Sequence, residues 1–380
     1  VTDPLIYLNN AATTWPKPSE VLVAASGVFS SPFYEHGRTS VQDARDYIGM
    51  ARESVAAFFG VSQPEHIVFT SSATDSLNIL IHGFARCHRQ PFHAVTTDLE
   101  HNSVLRPLRT LEREGMCSLS IIRTTGAHVK PAEIMDALRD DTALVAIGHG
   151  SNVLGSVQDI EAIGKLVRKT GAFFLVDGAQ TAGQYPVEPG RLPVDAFVFT
   201  GHKSLFGLPG TGGFYLADPE LVDPVRQGGT GVDSSGKYQP DEMPIKFETG
   251  TPNYSGIAAL NAGTGFVSTK GVGTILSQSR EMTSYLVTAL GKIDGVRLYN
   301  SSPDIPVVTF SVDGMESEDI GFILWKAYRV VVRTGLHCSP LIHERINTGG
   351  GVRISLSCMN TMADCEGAVA AIEEIAGTMR

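Results

Sequence analysis

The sequence predicts an α/β fold: a large unit on a mixed, mostly parallel sheet flanked by helices, followed by a smaller α+β unit. Three observations carry this. Short apolar runs alternate with stretches of helical periodicity, the pattern of strands joined by crossover helices. The texture changes from about Gly256, where long helical stretches come first and strands become sparse. The length of 380 residues suits two or three domains' worth of chain.

In chain order, Ile48, Val55 and Phe58-Phe59 make one helical apolar face that ends at Gly60. Strands are predicted at Ile67–Thr70, Ala94–Thr97, Leu119–Ile122, Leu144–Ile147, Phe173–Val176, Ala196–Thr200 and Gly213–Leu216. A helix at Leu77–Ala85 follows the first of them, and Ile160, Ile163 and Val167 mark another before Gly171. The polar stretch Gly228–Glu242 reads as a mobile loop. Beyond it come helices near 257–269 and 275–292, a strand at Val307–Val312, a helix at about 317–327 and a strand at Val330–Val332. A closing helix from about 362 is opened by Thr361-Met-Ala-Asp364, a capping box.

Composition narrows the function. A net charge of -10 without a basic stripe argues against a nucleic-acid surface or an anionic-membrane patch. No apolar run approaches the roughly eighteen residues of a spanning helix, and Val1-Thr-Asp-Pro-Leu lacks the marks of a signal peptide. A cytoplasmic chain is the expectation. The five cysteines, 87, 117, 338, 358 and 365, form no C-x-x-C pair, so neither a metal site nor a disulfide framework is expected. Most of them read as small buried hydrophobes; Cys338 is the exception.

Four segments carry candidate chemistry. In Ala196-Phe-Val-Phe-Thr200-Gly-His202-Lys203 an apolar strand runs into a lysine, followed by glycine-rich Gly207–Gly213. A lysine delivered there is either a desolvated amine, nucleophilic toward carbonyls, or a surface lysine beyond a strand. Phe173-Phe-Leu-Val-Asp177-Gly-Ala-Gln180 ends an apolar strand on an aspartate. A buried carboxylate needs a cationic or proton-donating partner, such as a protonated pyridine nitrogen; a helix N-cap is the plainer reading. Ile67-Val-Phe-Thr-Ser-Ser-Ala73-Thr74-Asp75 leads a strand into a helix N-terminus, whose free N–H groups form a phosphate cradle. In Thr96-Thr-Asp-Leu-Glu100-His101 the histidine follows a strand, placed to stack on a planar ring or to cap a helix.

Together these segments resemble the class V aminotransferase family of pyridoxal-phosphate enzymes, and within it the cysteine desulfurases. The likeness begins at Tyr7-Leu-Asn-Asn-Ala-Ala-Thr-Thr14 and continues through Ser151-Asn152-Val-Leu-Gly155 and Glu248-Thr-Gly-Thr251-Pro-Asn253. It closes with Arg333-Thr-Gly-Leu-His-Cys338 and Val352-Arg353-Ile-Ser, so it spans nearly the whole chain. It implies fold type I of the pyridoxal-phosphate-dependent transferases. A large cofactor-binding domain would span 15–255, and a small domain of 1–14 and 256–380 would carry Cys338 and Arg353. It further implies that Lys203 holds the cofactor covalently, Asp177 pairs with the pyridine nitrogen, Gln180 touches the ring oxygen and His101 stacks on the ring. Thr74, Thr200, His202 and the Ala73 backbone would hold the phosphate, and Thr251 would reach it from the neighbouring subunit of a homodimer. Arg353 would clamp the substrate α-carboxylate, Asn152 would lie beside cofactor and substrate, and His36 and Arg333 would be further contacts.

Cys338 tilts the choice within the family. Arg333 and His337 stand near it in sequence, and nearby cations favour the reactive thiolate. The implied reaction converts L-cysteine to L-alanine and leaves the sulfur on Cys338 as a persulfide, for passage to an acceptor protein. A selenocysteine lyase, a cystine or cysteine C–S lyase and a non-catalytic sulfur-transfer scaffold share much of this pattern. Two departures stand out: Asn9 where desulfurases usually carry aspartate, and Ala73 where threonine is common. The compact run from Cys338 to Arg353 resembles the SUF-type branch with its short catalytic loop.

Overall fold

The structure is a computed structural model that describes residues 5–30, 46–232 and 234–378. Strand β1 (Ile6–Tyr7), α1 (Ser19–Gly27) and α2 (Tyr47–Phe58) come first. Strands and helices then alternate through β2 (Ile67–Thr70), α3 (Ala73–His88), β3 (Phe92–Thr97), α4 (Asn102–Arg113) and β4 (Cys117–Ile122). Next are α5 (Pro131–Ala137), β5 (Thr142–Gly148), α6 (Ile160–Val167), β6 (Phe173–Asp177), β7 (Ala196–Thr200) and β8 (Gly212–Leu216).

These seven strands form one sheet in the order β2-β8-β7-β6-β5-β3-β4. Strand β8 runs antiparallel to both neighbours and every other pairing is parallel, so the sheet is mixed and mostly parallel as predicted. Its central strands are apolar throughout because helices cover both faces. The period of two sorts them: Phe174, Val176, Phe197 and Phe199 enter one core with Phe59, Val95 and Val145. Phe173, Leu175, Ala196 and Val198 enter the other with Leu77, Leu80 and Leu144.

The remaining elements are α7 (Tyr254–Lys270), α8 (Val272–Leu290), β9 (Val296–Leu298), β10 (Val307–Val312), α9 (Ser317–Tyr328), β11 (Val330–Val331) and β12 (Arg333–Gly335). Helix α10 (Pro340–Arg345), β13 (Gly351–Ser355) and α11 (Met362–Gly377) end the chain's described elements. An antiparallel sheet of order β12-β13-β10-β9 packs one face on α8, α9 and α11 through Val308, Phe310, Val352 and Ile354. Alternation then turns Thr309 and Arg353 to the opposite face, where they stand paired across β10 and β13. Helix α11 opens on the expected capping box: Asp364 N donates to Thr361 Oγ1, and Thr361 N to Asp364 Oδ2.

The strand predicted at Val330–Val332 is divided. Val330 and Val331 pair in parallel with β1, whereas Arg333 pairs with Arg353 in the antiparallel sheet, and Val332 joins neither ladder. The N-terminal segment ties the two sheets together. Leu8 N donates to Val331 O, Ser355 N to Leu8 O, and Thr14 N to His202 O.

Candidate active site

The C-terminal ends of the parallel strands and the start of α3 open on one cleft, the place where α/β sheets bind ligands. It is lined by Ala73, Thr74, His101, Asn152, Asp177, Gln180, Thr200, His202 and Lys203. Residues far apart in sequence are thus brought to one wall-and-floor arrangement by the strand order.

Asp177 ends β6, buried, its Oδ1 accepting from Ala179 N at 3.0 Å. Burial raises its pKa, and the Lys203 ammonium opposes that rise. Lys203 follows β7 and lies deep in the cleft. Burial lowers its pKa to about 8, with Asp177 pulling the other way and Arg353 and Arg333 adding to the depression. The amine stays mostly protonated at neutral pH, but roughly a tenth of it is neutral, far more than for an ordinary lysine. His101 caps α4, with Ser103 N donating to its Nδ1 at 3.1 Å. Burial first, then Lys203 and three arginines, lower its pKa to about 4, so the ring is neutral and its Nε2 carries the proton. Ser103 Oγ joins His101 Nδ1 to Thr74 Oγ1, each at 2.8 Å. At the start of α3, Ser72 Oγ takes the Asp75 N–H, leaving Ala73 and Thr74 N–H groups without helical partners. His202 Nδ1 is buried without a partner. Thr200 is buried, and Gln180 Nε2 donates to Ala11 O at 3.2 Å.

The smaller sheet closes the other side. Arg353 is 1% exposed, donating to Asn152 O at 3.0 Å and to Asn9 Oδ1 at 3.3 Å, while its Nε has no partner. Burial, reinforced by Arg333, lowers its pKa to about 9. Arg333 Nη2 lies 3.2 Å from Cys338 Sγ. His337 and Cys338 both take left-handed backbone (φ 53° and 60°), a costly conformation that surrounding contacts hold. Asn102 N donates to Cys338 O, Asn152 Nδ2 to His337 O, and Ser339 Oγ to Asn152 Oδ1. Behind them His337 Nδ1 meets His343 Nε2 at 3.1 Å, and Arg345 pairs with Asp98 at 2.9 Å. The cysteine therefore sits on a segment fixed at both ends. Cys117 and Cys365 are buried, with pKa values raised by burial to about 11 and 12, which suits inert packing, whereas Cys87 and Cys358, contrary to expectation, are only partly buried.

Two predicted residues stand apart. Thr251 is exposed and borders concavities outside this cleft. His36 lies outside the described residues. Several residues of the site were not singled out by the sequence. Glu100 is buried behind Asp177, accepting from Thr97 Oγ1 at 2.6 Å and Gly148 N at 2.7 Å. Lys17 reaches Thr14 Oγ1 and His202 O, both at 2.7 Å, bracing the segment that carries Lys203. Ser103 was visible only as a neighbour of His101.

The aminotransferase class-V family model matches residues 6–367. A probable cysteine desulfurase of Methanothermobacter thermautotrophicus is 33% identical over 98% of this chain and 95% of its own length. A cysteine desulfurase structure from Escherichia coli has a TM-score of 0.90 at 25% identity, covering 100% of this chain and 96% of that one. The apo cysteine desulfurase of Thermococcus onnurineus NA1 has a TM-score of 0.90 at 28% identity, covering 98% of this chain and 95% of its own.

Proposed function

The chain belongs to the class-V aminotransferase family, and from that premise we propose that it is a pyridoxal-phosphate-dependent cysteine desulfurase. L-cysteine and the Cys338 thiol would give L-alanine and a Cys338 persulfide. The observation that carries this reading is the Cys338 thiol, held against Arg333 and close enough to Lys203 to affect its charge.

The cleft's residues fit pyridoxal phosphate. A buried Asp177 carboxylate suits a protonated ring nitrogen; the unpartnered His202 Nδ1 and the free N–H groups at the start of α3 suit a phosphate. Lys203 would hold the group, His101 would cover its face, and Thr74, Thr200 and Gln180 would complete the contacts. When bound, the cofactor supplies an electron sink for charge developing at the substrate α-carbon.

The chain's own groups do the rest. Arg353, with an unused Nε, would take the substrate carboxylate, and Asn152 would fix the guanidinium beside it. Lys203, whose lowered pKa makes its neutral amine accessible near neutral pH, would carry the proton from the α-carbon. Cys338 would attack the substrate sulfur, taking it with one sulfur–sulfur bond formed as the carbon–sulfur bond breaks. Because Cys338 sits on a fixed segment, an acceptor protein would have to approach the cleft to receive the sulfur. The same reading makes the enzyme a homodimer in which Thr251 serves the neighbouring site; its exposure, away from its own cleft, supports that arrangement.

The test combines an absorption spectrum before and after L-cysteine with assays for alanine and persulfide. The Cys338→Ala variant should keep the cofactor's visible band and lose alanine formation by about a hundredfold or more. Full turnover by that variant, or pyruvate and ammonia in place of alanine, would sink the assignment.

A further inference from the structure

The wall of the cleft formed by β12 and β13 carries two guanidiniums and no described counter-charge. Arg333 and Arg353 are directly opposite one another across the antiparallel pair. Among the described residues neither has a carboxylate within salt-bridge reach. Arg353 is buried to 1% exposure, and its two amino nitrogens meet only neutral acceptors, the Asn152 carbonyl and the Asn9 side chain. Its Nε is buried and bonded to nothing. A buried cation left in this state is costly, and the cost is recovered when an anion arrives.

Asn9 is the residue best placed to change that balance. Its backbone forms a parallel bridge with Ser355, two residues beyond Arg353 on β13, so its side chain is fixed in reach of the guanidinium. An aspartate there would have the same shape and would put a carboxylate oxygen where Asn9 Oδ1 now accepts from Arg353 Nη2.

We propose that Asn9 sets the site's affinity for a substrate carboxylate, by orienting Arg353 through a neutral amide that leaves the guanidinium's charge for the ligand. The proposal rests on the desulfurase reading for L-cysteine as substrate, while its binding consequence holds for any α-amino acid the cleft admits. Asn9 acts through Arg353, so it is a positioning residue.

The experiment compares the parent holoenzyme with Asn9→Asp and Asn9→Ala. It follows absorbance titration with L-alanine, KM and kcat on L-cysteine, and Tm. Asn9→Asp should bind L-alanine at least about tenfold more weakly and raise KM similarly, with kcat changed less than about threefold. Its Tm should rise by roughly 2 °C, because the new carboxylate neutralises a buried charge. Asn9→Ala removes a hydrogen bond without adding charge, and should weaken L-alanine by no more than about threefold. Parental L-alanine affinity in Asn9→Asp, equal losses in both variants, or a Tm fall or failure to fold in Asn9→Asp would each overturn the proposal. If no protein makes alanine from L-cysteine while the titrations still separate Asn9→Asp from Asn9→Ala, the reaction assignment fails and the role of Asn9 stands.

Discussion

Glu100 shows how much a single residue's burial can decide. Thr97 and Gly148 satisfy its two carboxyl oxygens, yet burial outweighs both and raises its pKa from 4.5 to about 8, with Asp177 pushing the same way. The folded chain therefore binds this proton more tightly than the unfolded chain. Its stabilising effect is complete below the unfolded value and is lost as pH climbs toward 8. Glu100→Gln mimics the protonated form. Its Tm should match the parent near pH 4.5, exceed it progressively up to about pH 8 and hold a constant lead beyond, read by thermal denaturation across that range. A constant offset over the whole range would mean that Glu100 is ionised in the folded protein. The sequence exposed Glu100 only as the neighbour of His101. Its burial depends on β3 lying beside β5, a fact of strand order that no local pattern contains. Lys203 and Asp177 were legible for the opposite reason, since each ends an apolar strand whose own residues announce the burial.

At the level of elements, helix α7 is fitted to the segment that follows Lys203. Gly263 lies on its buried face, and a Cβ there would run into the Leu205 carbonyl oxygen, with the Gly207 amide and Phe206 carbonyl carbon close behind. Backbone cannot rotate aside as a side chain can, so Gly263→Ala must push the helix and the lysine-bearing segment apart. The expected cost is about 1–3 kcal/mol, with reduced cofactor occupancy at limiting pyridoxal phosphate, measured by the visible band after gel filtration. Unchanged Tm and occupancy would show that the segment yields freely. The central strands, α6 and α11 were readable because their periodicity and caps agree with their burial. Helix α4 was not, since Pro107 lies inside it and removes a backbone donor. Burial of Val104, Leu108 and Leu111 outweighs that loss. Strand β13, which presents Arg353, was recognised only through the likeness to a known motif. Five residues with an arginine and a serine do not read locally as a core strand, and its pairing with β10 and β12 decides the matter. The division of β11 from β12 was likewise hidden, because the valines look continuous until β1 claims the first two.

The whole molecule's response to pH follows from which buried groups it keeps neutral. His149, His337 and His343 are buried, and desolvation is the largest cause lowering their pKa values from 6.5 to about 4, 2 and 4. Each binds a proton more readily unfolded than folded. Its contribution to stability is present above 6.5 and is lost as pH falls toward the folded value, by up to about 1.4 kcal/mol per pH unit. Glu100 and Asp177 work in the opposite sense, so below 6.5 these three histidines, joined by His101, outweigh the two carboxyls. Above 6.5 the histidines have nothing further to add, and the Glu100 contribution tilts the curve down toward 8. Thermal stability should therefore peak near pH 6.5, with an acid limb steep enough to require uptake of more than one proton on unfolding. Scanning calorimetry at constant ionic strength measures both features. Replacing His149, whose Nδ1 meets only Thr181 Oγ1 and whose ring lies against Tyr185 and Phe197, isolates one share of the acid limb. His149→Gln should lower the proton uptake by about one on that limb and leave the descending limb unchanged. An acid limb of parental steepness in that variant would mean that His149 is charged in the folded protein, and the balance would then rest on the histidine pair behind Cys338.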